Sequence, residues 1–114
     1  MAEKCTLDDV GDIIGDETSR QILQQTKRDG HSAEALSNDC NTSKPTIYRR
    51  LDRLRRCDVL IEQTRLDTEA GHHYTVYATD LERIVIDVDP EGLSVEFEHE
   101  EDMADRFTRL VEGM

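Results

Sequence analysis

Tryptophan is absent from this 114-residue chain, and three tyrosines and two phenylalanines supply all of its aromatic content. No apolar run approaches the roughly 20 residues a membrane span needs, which excludes a transmembrane segment. The N-terminus lacks a basic start followed by an apolar stretch, so a secretory signal is not expected. The three cysteines, Cys5, Cys40 and Cys57, are an odd number and make no CxxC spacing. That usage argues against a disulfide framework and for a reducing, cytoplasmic setting, with Cys40 and Cys57 read as packing residues. Their acidic neighbours, Asp39 and Asp58, are the wrong company for a reactive thiolate. His72 and His73 are adjacent, so in an extended segment they point to opposite faces and do not share a metal ion. There is no glycine-rich phosphate loop and no Ser/His/Asp set, and among 26 acids any pair is uninformative without geometry. An enzyme is not expected, and neither a cofactor nor a metal is implied.

Charged residues make up 35% of the chain. Composition of that kind can signal disorder, but apolar residues recur periodically almost end to end, as in a folded domain. The length allows one compact domain with a modest core.

The net charge is -12, which taken alone argues against a nucleic-acid partner. Its distribution reverses that argument. Residues 1–43 carry net -5, 57–77 net -3 and 78–114 net -9, whereas 44–56 carry +5. Within that stretch Lys44, Arg49, Arg50, Arg53, Arg55 and Arg56 stand against Asp52 alone. One acid among six bases, in so anionic a chain, points to an anionic partner rather than to an ordinary solvated helix face. Arg55 and Arg56, at the end of the segment, are assigned to complementing a helix dipole.

Along the chain, Thr6 caps a helix with apolar positions Leu7, Val10, Ile13 and Ile14, ending at Gly15. Asp16 caps a second helix to about Lys27, with Ile22, Leu23 and Thr26 inward, and Asp29-Gly30 breaks it. Ser32 caps a short third helix, where Ala33, Leu36 and Cys40 share a side, and Asn41-Thr42 turns. Ser43 caps a fourth helix whose first turn tolerates Pro45. Ile47, Leu51 and Leu54 mark its buried face, and Thr46, Arg49, Arg50 and Arg53 lie opposite. The period then becomes extended. Val59–Leu66 and His72–Ala78 form one hairpin. Ile84, Ile86 and Val88 pair across Asp89-Pro90-Glu91-Gly92 with Leu93, Val95 and Phe97 in another. A last helix, about 100–112, carries an apolar stripe of Met103, Phe107, Leu110, Val111 and Met114.

Short helix, tight turn, capped basic helix and hairpin, in that order, make an α+β winged helix-turn-helix. It has a hairpin wing, an extra hairpin and a C-terminal dimerisation helix. Residues 1–80 form the helix-turn-helix and wing, and 81–114 the second hairpin and last helix, within the same compact domain. A helix of this kind fits the major groove, where arginines meet phosphates or guanine and hydroxyls serve either.

The stretches Ser32-Ala33-Glu34-Ala35-Leu36-Ser37, Ser43-Lys44-Pro45-Thr46-Ile47-Tyr48-Arg49-Arg50-Leu51-Asp52-Arg53-Leu54 and Val59-Leu60 resemble ArsR-type winged helix-turn-helix regulators. They are most similar to the small acidic members from halophilic archaea, as is the closing Ala104-Asp105-Arg106-Phe107-Thr108-Arg109-Leu110. An acid excess together with only three lysines among fourteen bases fits surfaces that work in molar salt. The resemblance implies a homodimeric transcription regulator, free of membranes, on a pseudo-palindromic double-stranded DNA operator. Ser43, Lys44, Thr46, Tyr48, Arg49, Arg50 and Arg53 are its candidate DNA contacts, joined on the wing by Arg65 and His72. Tyr48 is equally readable as an aromatic at the core edge. Met103, Phe107, Leu110 and Val111 are assigned to a dimer seam. The Cys-rich motif of metal-sensing members is missing, so metal sensing does not carry over. Two other readings stand beside this one: a winged-helix module that binds protein, and a thiol- or ligand-responsive variant of the regulator.

Overall fold

Side-chain caps set the rhythm of the first half of the chain. The computed structural model describes residues 5–100, and the chain divides into a unit of residues 1–79 and another of 80–114. In the first unit four helices run in order: α1 (Leu7–Gly15), α2 (Glu17–Arg28), α3 (Ala33–Asp39) and α4 (Lys44–Arg56). Thr6 and Asp9 form a reciprocal capping box on α1, the Thr6 hydroxyl accepting from the Asp9 N–H at 3.1 Å and the Asp9 carboxylate from the Thr6 N–H at 2.9 Å. Asp16 accepts from the Ser19 N–H at 2.9 Å on α2, and Ser32 from the Ala35 N–H at 3.1 Å on α3.

Ser43 departs from this pattern. It occupies the N-cap of α4, where its carbonyl accepts from the Ile47 N–H at 3.0 Å, but its side chain makes no capping hydrogen bond to the helix backbone. Pro45, in the first turn, has no N–H to offer, and the Ser43 hydroxyl donates instead to Thr46 Oγ1 at 3.1 Å.

The core of this unit is almost entirely aliphatic. Val10 and Ile13 of α1, Ile22 of α2, Leu36 of α3 and Ile47, Leu51 and Leu54 of α4 are buried together with Val59 and Val76. Each such side chain contributes about 1.5–3 kcal/mol by leaving water. The inward positions expected on α4 are all buried, whereas Leu7 and Ile14 of α1 are exposed at the two ends of that nine-residue helix. Ser19 and Thr26 are the buried polar residues of α2. The Ser19 hydroxyl donates to Asp16 at 2.7 Å and the Thr26 hydroxyl to the Ile22 carbonyl at 2.7 Å, so neither is left unpaired.

Strands β1 (Ile61–Asp67) and β2 (His72–Ala78) form the antiparallel wing, with Thr64 opposite Thr75. The tip closes through Asp67, whose carboxylate accepts from the Glu69 and Ala70 N–H groups at 3.0 Å, and through Gly71 at φ 71°. His31 adds a bridge on the far side of β2, exchanging two backbone hydrogen bonds with Tyr77 at 3.0 and 2.8 Å. That bridge anchors the wing to the segment just before α3.

The cysteine expectation is overturned. Cys5 and Cys57 form a disulfide across a sequence separation of 52 residues, with Cα atoms 4.6 Å apart, and Cys40 alone is free. An odd count without a CxxC speaks only to pairs close in sequence. Here folding lays the start of α1 against the C-cap of α4, and that proximity has no signature in local spacing.

The second unit contains β3 (Leu81–Asp89) and β4 (Gly92–His99), paired antiparallel with Ile84 opposite Phe97, Ile86 opposite Val95 and Val88 opposite Leu93. Its turn is closed by Asp89, which accepts from the Glu91 N–H at 2.9 Å. At its base His99 Nδ1 lies 2.8 Å from the Asp80 carboxylate, and the Glu100 N–H donates to the Asp80 carbonyl at 2.8 Å. Four helices followed by two antiparallel hairpins are the α+β layout of a winged helix-turn-helix. The expected helix at about 100–112, with Met103, Phe107, Leu110 and Val111, lies outside the described residues.

Candidate nucleic-acid interface

The turn between α3 and α4 is held by its own side chains, and it sets how α4 is presented. Asn41 takes a positive φ of 50°, the Ser37 hydroxyl donates to the Thr42 carbonyl, and the Thr42 hydroxyl donates to the Cys40 carbonyl at 2.9 Å. From this turn α4 emerges with Ser43, Lys44 and Pro45 exposed, while Ile47, Leu51 and Leu54 fix its rotation by burial.

Two rows of candidate residues follow along the open part of α4. In the first, Ser43 and Arg49 converge on one acceptor: Ser43 Oγ and Arg49 Nη2 each donate to Thr46 Oγ1 at 3.1 Å. Spacing places these three residues on neighbouring turns but does not disclose that they are linked. In the second row, Lys44 and Tyr48 face the wing. Together with Ser32, Glu34, His72 and Tyr74 they line a cleft of about 650 Å³. Tyr48 is 50% exposed, on the rim of that cleft rather than in the core.

The arginine island divides by partner. Arg50 turns from the open face to Asp16, with Nε 2.8 Å from the carboxylate. Arg55 pairs with Glu62 at 2.7 Å and with Asp52 at 3.5 Å, and Arg56 pairs with Asp9 at 3.3 Å. Arg50, Arg55 and Arg56 therefore tie α4 to α2, β1 and α1. Among the described residues Lys44, Arg49 and Arg53 enter no ion pair, and Arg53 lies near enough to Asp9 to favour its charged form. On the wing, His72 is exposed opposite Asp67 beside the tip. Arg65 points elsewhere, 3.7 Å from Asp29 and over Gly30, where an added Cβ would meet its Nη2 at 2.9 Å.

Asp16 is the residue whose importance to this surface is hidden from sequence reasoning. Burial pushes its carboxyl upward, but two hydrogen bonds from Ser19 and the Arg50 guanidinium prevail and hold it below its ordinary value. Its capping role is legible from position. Its bond to a residue 34 places later is not.

A family model described as a helix-turn-helix domain matches residues 14–64. Over that stretch the chain is similar to a helix-turn-helix domain. The match takes in α2, α3, α4 and the beginning of β1, so it covers the turn and both rows of open α4 residues. No curated protein gives a match. Helix-turn-helix domains bind DNA by placing their second helix in the major groove, and they are in general not enzymes. Among the described residues no helix is long and apolar enough to cross a membrane.

Proposed function

We propose that this protein is a sequence-specific, DNA-binding transcription regulator of the ArsR-like, halophilic archaeal kind, acting in the cytoplasm as a homodimer without a cofactor. The observation that carries this reading is the division of the arginine island. Half of its bases are consumed by ion pairs that fix α4, and among the described residues Lys44, Arg49 and Arg53 have no ion-pair partner on the helix that carries the hydroxyls of Ser43 and Thr46. An acidic protein has carboxylates to spare for neutralising those three, so leaving them unpaired on one helix reserves them for phosphate or guanine. Tyr48 and His72, across the cleft, suit contacts to the flanking backbone.

Dimerisation follows from reach. One helix of this size touches few bases, and two of them about 34 Å apart read a pseudo-palindrome. Met103, Phe107, Leu110 and Val111 are proposed for the seam. Replacing Arg49 and Arg53 with alanine is expected to abolish retention on a genomic DNA fragment without changing the sedimentation of the protein. Unchanged retention would leave the protein-binding module as the better account. The operator itself is to be found by genome-wide mapping of bound sites.

A second reading is favoured by the Cys5–Cys57 bond, which joins the segment before α1 to the end of the DNA-facing helix. A regulator so tied would respond to thiol redox state. Operator affinity that is equal in oxidised and reduced protein would remove this reading.

A further inference from the structure

All three tyrosines of the chain line one cleft. Tyr48 of α4 and Tyr74 and Tyr77 of β2 share the space of about 650 Å³ between the wing and the starts of α3 and α4. Tyr77 is buried, whereas Tyr48 is 50% and Tyr74 39% exposed. Among the described residues none of the three phenol hydroxyls makes a hydrogen bond, and Glu34 and Lys44, on the same cleft, enter no ion pair. Burial first, then the Glu62 carboxylate and the nearby Tyr48, push the Tyr77 phenol above its ordinary value, so that ring stays neutral. Aromatic rings with free polar ends, gathered around one space, are more than the packing of a hairpin requires. The volume falls within the range of small-molecule sites, about 300–1,000 Å³, which are lined by aromatic side chains and a few polar groups.

We infer that this cleft binds a planar aromatic cation of two or three fused rings, held among the tyrosines, and that such a ligand displaces DNA. The charge of the ligand is read from the walls. Two carboxylates, Glu34 and Asp67, stand there against one ammonium, Lys44, within a chain of net charge -12, so the field favours a cation and opposes an anion. The tyrosine rings add to that preference, because each presents a negative π-face. The size is read from the volume. A compact ammonium ion leaves most of the cleft empty, whereas fused rings stack on the open faces of Tyr48 and Tyr74. The displacement rests on the DNA-binding reading above, since Lys44, Tyr48 and His72 are both candidate DNA contacts and walls of the cleft. A ligand seated there takes the place that a phosphate backbone needs.

The test is isothermal titration calorimetry of the full chain with N-methylquinolinium, against naphthoate as a probe of the same size and opposite charge. The cation is expected to bind at least ~10-fold more tightly than the anion. Tyr74→Leu keeps the apolar bulk and removes the ring, and should weaken the cation at least ~10-fold. Glu34→Gln removes one exposed charge, and should weaken it ~3-fold. With no tryptophan in the chain, tyrosine fluorescence reports on this cleft alone and should be quenched as the heat saturates. No binding of the cation, equal affinity for the two probes, heat without quenching, or an affinity unmoved by Tyr74→Leu would each overturn the site. On a genomic DNA fragment, N-methylquinolinium should release wild type and should release Tyr74→Leu only at correspondingly higher concentration. Retention that persists with the cleft saturated, or equal release of both proteins, would overturn the displacement. A protein that never retains DNA would remove the DNA-binding reading and the displacement with it, while the calorimetry still decides the ligand site.

Discussion

Asp16 and Arg50 are joined at 2.8 Å, and through them the cap of α2 holds the helix that carries the candidate DNA contacts. The carboxylate serves three donors at once: the Ser19 N–H, the Ser19 hydroxyl and the Arg50 guanidinium. Asp16→Ala removes a helix cap worth about 1 kcal/mol and with it a partly exposed ion pair worth less than ~1 kcal/mol. Arg50→Ala removes only the second. Urea denaturation is expected to rank wild type above Arg50→Ala above Asp16→Ala. The Arg50→Ala protein should retain most of its DNA affinity if its guanidinium is structural, and a loss as large as that of Arg49→Ala would return Arg50 to the interface.

The same carboxyl predicts a pH dependence with a defined sign. Its folded pKa lies below the ordinary 3.8, so the folded state binds fewer protons there than the unfolded chain. The stability it contributes is therefore fully present above about pH 4 and is lost as pH falls through the folded value. Asp16→Asn keeps a capping oxygen but loses the charge. Its deficit against wild type, measured by denaturation across pH 2–7, should be constant near neutrality and shrink toward zero in acid. A deficit that grows in acid contradicts the assignment.

The disulfide gives a third expectation. In the chain-entropy account, closing a loop of 52 residues restricts the unfolded chain by about 4 kcal/mol. Reduction, or Cys5→Ser, should lower the thermal midpoint by several degrees; counted under denaturing conditions, reduction adds two thiols and Cys5→Ser adds one, at position 57. Cys40→Ser should change little, since burial and the neighbouring Asp39 both raise the pKa of that half-buried thiol and keep it unreactive. A midpoint unmoved by reductant would remove the bond from the stability of the fold.

What was legible in the sequence follows periodicity and position. Ile47, Leu51 and Leu54 at i, i+4 and i+7 announce the buried face of α4. Ser32 and Asp16 announce helix starts, and the alternation of Ile84, Ile86 and Val88 announces a strand. The family match over 14–64 falls on the helix-turn-helix read from those signals. What was not legible depends on residues distant in sequence. Arg50 shares a helical side with Arg49, and only the arrival of Asp16 from α2 separates their roles. Arg65 looks like a wing cation until Asp29 and Gly30 are seen beneath it. Cys5 and Cys57 meet only after four helices have folded between them.

The split of the arginines predicts unequal consequences for binding. Arg49 stands on the exposed row with Thr46 and Ser43, whereas Arg65 is held 3.7 Å from Asp29. In fluorescence anisotropy with an operator fragment, Arg49→Ala should cost about 1–3 kcal/mol, the range for one good base or phosphate contact. Arg65→Ala should fall within ~0.5 kcal/mol of wild type. Equal losses at both positions would mean that the wing reorients to bring Arg65 onto the DNA.

Salt offers the last expectation, and it turns on Lys44, Arg49 and Arg53, the α4 bases with no ion pair among the described residues. A dimer presenting Lys44, Arg49 and Arg53 twice would neutralise about six phosphates. Ordinary counterion release would then weaken binding by on the order of eight decades between ~0.1 and ~3 M salt. A regulator working in molar salt cannot depend on that term. In this protein the open bases lie in a chain of net charge -12, so at low salt its carboxylates would repel a DNA partner and oppose the attraction of the island. Added cations screen that repulsion first and can bridge carboxylate to phosphate. Affinity should therefore be flat or rise with KCl before it declines, and specificity should rest on hydrogen bonds from Ser43, Thr46 and Arg49. A steep monotonic loss across molar KCl would show that the acidity is incidental and that binding follows the ordinary polyelectrolyte law.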